Sequence, residues 1–162
     1  MRMNAKRSGS AVVGLVASLL LAGCVAVDME HRNAGAAVDH YTDPGIAQMK
    51  LPFSSAVKTS DTIYLAGEIG IDPEAGKIVP GGAGPETAQV FANMTRTLAN
   101  FDADLSDIVK CTVFIDDMAH YGEMNAAYAA ALPDPKPARS TVAVKGLAVG
   151  ASLEIECIAV TG

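Results

Sequence analysis

The sequence predicts an α+β domain in which a mixed sheet carries two helices on one face. Three observations carry this prediction. Two short strand patterns flank the turn "TSD" between residues 55 and 69. Two helical patterns then follow, separated by a β-branched run. The last quarter, "KPARSTVAVKGLAVGASLEIECIAV", holds two further strand patterns joined across Gly146 and Gly150. The element order is therefore β-β-α-β-α-β-β.

The first two strands are expected near Ser55–Lys58 and Thr62–Ile69, as a hairpin. "DPEAGK" reads as a glycine-containing turn. "VPGGAG" reads as a loop with no Gly-Lys-Ser sequence behind it, so it is not a phosphate loop. "GPETAQVFANMTRTLANF" turns helical, with Pro85 suited to the first helical position and Glu86 complementing the positive N-terminal end. Val90, Met94, Leu98 and Phe101 recur at spacings of three and four and form one apolar stripe.

"DIVKCTVFIDD" reads as a strand that turns Val109, Cys111, Val113 and Ile115 to one side, and Lys110 and Thr112 to the other. "MAHYGEMNAAYAAAL" returns to helical spacing, with Tyr121, Met124 or Asn125, and Tyr128 on one face. Pro133, Pro135 and Pro137 end it. In the final strand Leu153, Ile155, Cys157 and Ala159 share one face, and Glu154, Glu156, Ile158 and Val160 the other.

Ahead of this domain, "MRMNAKRSGSAVVGLVASLLLAGCVAV" opens with Arg2, Lys6 and Arg7 and no acidic residue, followed by an apolar run from Ala11 to Ala22. That layout is a secretory signal peptide. The run is short of the ~20 apolar residues that span a bilayer. Its ending, "LLAGC", resembles the bacterial lipobox, which implies acylation of Cys24. The expected organisation is a lipoprotein signal over 1–23, a lipidated N-terminus and flexible tether over 24–50, and the folded domain over 51–162. The expected address is the cell envelope, on the extracytoplasmic side of a membrane.

Without residues 1–23 the chain retains 9 Lys+Arg against 18 Asp+Glu. An acidic surface without a basic cluster repels phosphate backbones, so nucleic acid is excluded as a partner. His31, His40 and His120 lack neighbours at metal-ligand spacing, and no metal site is expected. Cys111 and Cys157 are expected as buried thiols that pack as small apolar groups; the other reading is a disulfide, open to a secreted chain.

The candidate chemistry lies in Arg139 and Glu154, one on each of the last two strands. A buried guanidinium needs a partner, because an unpaired buried charge is costly. It also grips a carboxylate with two parallel hydrogen bonds. Glu154, on a neighbouring strand, would then orient a water against the gripped molecule. The alternative is a purely structural Arg–Glu ion pair.

Four segments in order resemble the reactive intermediate deaminase family, RidA: "LPFSSAV", "TIYLAGEIGIDPEAGKIV", "VKCTVFIDDMAHYGEMNAAYAAAL" and "PARSTVAVKGLAVGASLEIECIAV". They cover essentially all of residues 51–160. The resemblance implies a chorismate-mutase-like fold, a homotrimer, and sites in the clefts between subunits. It also implies cofactor-independent hydrolysis of 2-imino acids or their enamine tautomers to 2-keto acids and ammonia. By this resemblance Arg139 binds the substrate carboxylate, Glu154 holds the attacking water, Gly67 lines the pocket with its backbone, Asn125 lies near the site, and Tyr128 packs beside it. Three positions depart from the family pattern. Phe53 stands in place of a tyrosine, Ala66 in place of a serine, and Thr141 in place of a cysteine.

Three functions follow as expectations: a deaminase of carboxylate-bearing imines and enamines; a non-catalytic trimeric module that binds small carboxylates or a partner at the cell envelope; and a hydrolase of a different enamine.

Overall fold

The computed structural model describes residues 37–162. Among these residues, eight strands and three α-helices follow one another as β1 Val38–Tyr41, α1 Pro44–Gln48, β2 Ala56–Thr59, β3 Thr62–Ile69, β4 Ile71–Asp72, β5 Lys77–Ile78, α2 Ala83–Leu98, β6 Ile108–Ile115, α3 Tyr121–Ala131, β7 Ala138–Ala143 and β8 Leu153–Val160. Six of the strands form a mixed sheet in the order β1-β2-β3-β8-β6-β7, while β4 and β5 form a small ribbon of their own. Only β6 and β7 pair in parallel. The remaining neighbours in the sheet are antiparallel. Parallel neighbours need a crossover, and α3 supplies it.

One face of the sheet is closed by α2 and α3. The α2 stripe of Val90, Met94 and Leu98 is fully buried, as its spacing predicts, and Phe101 is buried in the 3-10 turn that follows. Met124 and Tyr128 of α3 join the same core, which the sheet completes with Ile63, Leu65, Cys111, Val113, Ile115, Leu153, Ile155, Cys157 and Ala159. The period-two pattern of β8 is therefore realised residue by residue. α2 begins at Ala83, two residues earlier than expected, so Pro85 is its third residue. The first four helical N–H groups have no intrahelical acceptor, so a proline there costs nothing.

Three expectations need correction. The tether read to residue 50 ends sooner: β1 pairs with β2 from Val38↔Thr59 to Tyr41↔Ala56, and α1 follows, capped by Asp43 Oδ1, which accepts from the Gly45 N–H at 2.8 Å. Val109 is half exposed instead of buried, because the β6–β8 register shifts between Ile108 and Lys110. That bulge gives the inward place to Ile108. Cys111 and Cys157 are joined as a disulfide rather than held as free thiols. They face each other directly across β6 and β8, with Cα atoms 4.1 Å apart.

The lipobox cysteine Cys24, the signal segment and His31 lie outside the described residues. Among those residues, no helix is long and apolar enough to cross a membrane.

Candidate active site

Register decides where the two candidate residues point. Arg139 of β7 is paired with Cys111 of β6, so it shares the helix-covered face. Glu154 of β8 is paired with Phe114 of β6, three residues further along, and so belongs to the open face. Strands β7 and β8 are not neighbours either, because β6 lies between them. The expectation that Glu154 stands beside Arg139 on the adjacent strand does not hold within one chain. The structural ion pair is excluded as well: among the described residues Arg139 forms no salt bridge.

The side chain of Arg139 is half-buried against α3. Its Nη2 donates to Asn125 Oδ1 at 2.8 Å and to the Tyr121 hydroxyl oxygen at 3.0 Å. Its guanidinium carbon lies 4.5 Å from the centroid of the Tyr128 ring and 5.7 Å from that of Tyr121. Contacts of this kind contribute about 0.5–2 kcal/mol, more as the site dries. The Tyr128 ring is itself held edge-on by Phe91, with centroids 5.3 Å apart. Tyr128 therefore packs, as expected, and also supplies a face for the cation. Burial pushes its hydroxyl pKa up, with the nearby Arg139 charge opposing.

Arginine has five N–H donors and no acceptor. Two are taken by Asn125 and Tyr121; the three on Nε and Nη1 have no partner among the described residues. Because Asn125 turns its oxygen to the cation, its amide nitrogen faces away and offers two more donors. The cradle presents donors and positive charge, with no carboxylate to neutralise it. That is the chemistry of an anion site, and it suits a carboxylate.

Thr141, two residues along β7, faces the same side, and its hydroxyl oxygen is buried without a hydrogen-bond partner. The Tyr128 hydroxyl is in the same condition.

On the open face, a second group forms around Glu154. The β3–β8 register shifts between Leu65 and Glu68, which places Gly67 in the irregular segment. A β-carbon built on Gly67 would fall 1.9 Å from Glu154 Oε1. Gly67 is thus the residue that makes room for the carboxylate. Ala66 is fixed by its N–H donating to the Ser55 carbonyl at 3.0 Å. Phe53 sits in the exposed loop before β2, about half of its surface open.

Two residues beside these groups were not singled out from the sequence. Tyr121 touches the guanidinium, and its spacing of four and seven from Asn125 and Tyr128 was the available signal. Glu68 is next to Gly67 and points to the helix side, where its Oε1 accepts from Asn93 Nδ2 at 2.8 Å. Asn93 also donates to the Ile71 carbonyl at 2.9 Å, so one α2 side chain clamps both ends of the turn after β3. Burial pushes the Glu68 carboxyl up to about 7; the Asn93 bond and Arg96 oppose the rise, and Asp43 and Glu154 add to it. No pattern in the sequence marks that burial.

The chain is similar to known proteins along most of its described length. The family model described as "Endoribonuclease L-PSP" matches residues 46–161. The chain is similar to "Reactive Intermediate Deaminase A, chloroplastic" of Arabidopsis thaliana, at 42% identity over 108 residues, or 67% of this chain and 58% of that protein. It is similar to the "2-iminobutanoate/2-iminopropanoate deaminase" of Mus musculus, at 39% identity over 111 residues, or 68% of this chain and 82% of that one. Among solved structures, RidA from an Antarctic Psychrobacter superposes with a TM-score of 0.66 at 30% identity, covering 78% of this chain and 98% of that one. Yeast Mmf1 gives a TM-score of 0.66 at 33% identity, covering 79% and 98%. Matching along nearly all of its described length, the chain belongs to the RidA family.

Proposed function

We propose that this protein hydrolyses reactive 2-imino acids, or their enamine tautomers, to 2-keto acids and ammonia. The observation that carries the proposal is the unneutralised Arg139 guanidinium, fixed from one side by Tyr121 and Asn125 and from below by Tyr128. A carboxylate docked there gains a charge-assisted hydrogen bond of about 1.5–3 kcal/mol.

The chemistry asks little more. A protonated imine carbon is already electrophilic. Water held by Glu154 adds to that carbon while the carboxylate takes up its proton. The resulting carbinolamine transfers a proton to its nitrogen and expels ammonia, leaving the ketone. Every atom comes from imine and water, and no electrons leave the system.

Arg139 and Glu154 look out from opposite faces of one sheet. For both to act on one substrate, a second copy must bring its Glu154 and Gly67 to the first copy's Arg139. The open sheet face, with Tyr64, Val142 and Val160 exposed, suits that contact and the homotrimer of our reading. The endoribonuclease description is not favoured for this chain. Its acidic balance of charge opposes RNA, and Arg139 is one cation in a small cradle rather than part of a basic track.

The extracytoplasmic, lipid-anchored address also stands as a proposal. It is supported by the signal-like N-terminus and by the Cys111–Cys157 disulfide, a bond that persists in oxidising compartments. Globomycin-sensitive processing and incorporation of labelled palmitate, both lost in Cys24→Ala, test it.

The activity is tested by ammonia release from freshly generated 2-iminopropanoate. Acceleration over buffer that disappears in Arg139→Ala is expected. No acceleration by the wild-type protein abandons the deaminase. Tight 2-keto acid binding without turnover would instead assign a carboxylate-binding module.

A further inference from the structure

We infer that the Tyr121 hydroxyl is part of the substrate site: it donates a hydrogen bond to the carboxylate that Arg139 holds. This deepens the deaminase reading and rests on its assignment of Arg139 as the carboxylate anchor.

The argument begins with the direction of one hydrogen bond. Arg139 Nη2 lies 3.0 Å from the Tyr121 oxygen, and a guanidinium can only donate. The phenol oxygen is therefore the acceptor, and its own proton must turn away from the cation. Among the described residues no acceptor stands in its path. A carboxylate is the group that supplies one beside a guanidinium.

The contrast with Tyr128 sharpens the assignment. Both rings touch the same guanidinium. The Tyr128 ring lies nearer, its residue is buried, and its hydroxyl is closed off inside the core. Tyr121 is only half-buried, and its hydroxyl oxygen already accepts from Arg139. Tyr128 is thus a buried platform, while Tyr121 is a half-buried one whose O–H has no acceptor among the described residues.

Asn125 completes the picture. It and Tyr121 both accept from Nη2, so the two side chains flank one nitrogen. The Tyr121 O–H then stands beside a guanidinium whose Nε and Nη1 donors are unpaired among the described residues. A carboxylate has about four lone-pair sites on two oxygens, so it can use Arg139 and Tyr121 together. A neutral carbonyl or amide has fewer sites and no charge to reward the extra donor. Tyr121 therefore raises selectivity for the ionised acid.

The test uses the full mature chain and 2-oxobutanoate, a stable keto acid, as the probe. Calorimetry should show Tyr121→Phe weakening 2-oxobutanoate by about tenfold or more, since a hydrogen bond to a charged group is lost. Tyr41→Phe, which removes a hydroxyl away from the cradle, should bind as wild type. In turnover, KM for 2-iminobutanoate should rise by a similar factor while kcat stays within about twofold. A hydroxyl that only steers Arg139 would lower kcat as well, and that result overturns the assignment. Equal keto-acid affinity in Tyr121→Phe and wild type overturns it too.

A measurement on the unmutated protein guards against a folding defect in the variant. With 13Cζ-labelled tyrosine, the Tyr121 resonance should shift when 2-oxobutanoate is added, and a static resonance at saturation counts against the contact. Wild-type binding without imine turnover would remove the deaminase reading and leave the Tyr121 contact standing. No wild-type binding at all would remove both.

Discussion

The Glu154 carboxylate occupies the space that a side chain on Gly67 would need: a β-carbon there would sit 1.9 Å from Oε1, 2.8 Å from Cδ and 3.1 Å from Cγ. The first residue is read as lining the pocket and the second as holding water, and the two turn out to be one fitted unit. Gly67→Ala must therefore push the carboxylate aside. Because the displaced atoms end a flexible side chain, the fold should survive with a small change in Tm. Imine hydrolysis should fall by about tenfold to a hundredfold, the range carried by a positioned acid–base group. Wild-type kcat/KM in Gly67→Ala would show that Glu154 acts from another pose.

Glu68 predicts a specific dependence on pH. Its folded pKa is raised to about 7 by burial, above the ordinary 4.5. Between those values the folded chain keeps a proton that the unfolded chain has lost, so stability falls as pH rises through that window. The full effect is about 3 kcal/mol at most. Glu68→Gln keeps an oxygen for Asn93 and removes the titration. Urea unfolding should find the variant similar to wild type near pH 4.5 and more stable at pH 8. Parallel stability curves across the range would contradict this.

The disulfide closes a separation of 46 residues and joins the neighbouring strands β6 and β8. A chain-entropy estimate gives about 4 kcal/mol for a loop of that length. Cys111→Ala/Cys157→Ala should lose stability on that scale in guanidinium unfolding. Thiol titration of the denatured wild-type protein, without reductant, should leave both cysteines unlabelled. Labelling of both would return them to the thiols that the sequence suggests.

Val149 sits at φ +47° and ψ 22° in the turn before β8, with three-quarters of its surface exposed. The left-handed region costs an ordinary residue about 1–2 kcal/mol, and a β-branched one is especially crowded there. Val149→Asn should raise Tm by a few degrees, since Asn tolerates that conformation and no packing is lost. An unchanged or lower Tm would mean that the valine is held by contacts outside the single chain.

What the sequence discloses and what it withholds divide along a physical line. Period-two alternation in β8 and the Val90–Met94–Leu98 stripe of α2 are local properties, and both reappear as burial. Strand β1, four residues of "VDHY", is too short and too polar to show a pattern, and only its pairing with β2 makes it a strand. Val109 faces out because of a bulge, which depends on the partner strand. Arg139 and Glu154 were legible as residue types. Their separation onto two faces was not, because strand order and register are long-range facts: β6 must come between β7 and β8 before the parity of either residue has meaning. The opposition of Cys111 and Cys157 is hidden for the same reason.

That two-sided sheet has a genetic consequence on the proposed reading. A subunit lacking its cation and a subunit lacking its acid are each inert alone, yet their defects lie at different seams of the ring. Unfolded together and reassembled, Arg139→Ala and Glu154→Ala chains would regenerate intact seams wherever the sound half of one meets the sound half of the other. Catalysis would then be a property of the junction, inherited by no single polypeptide.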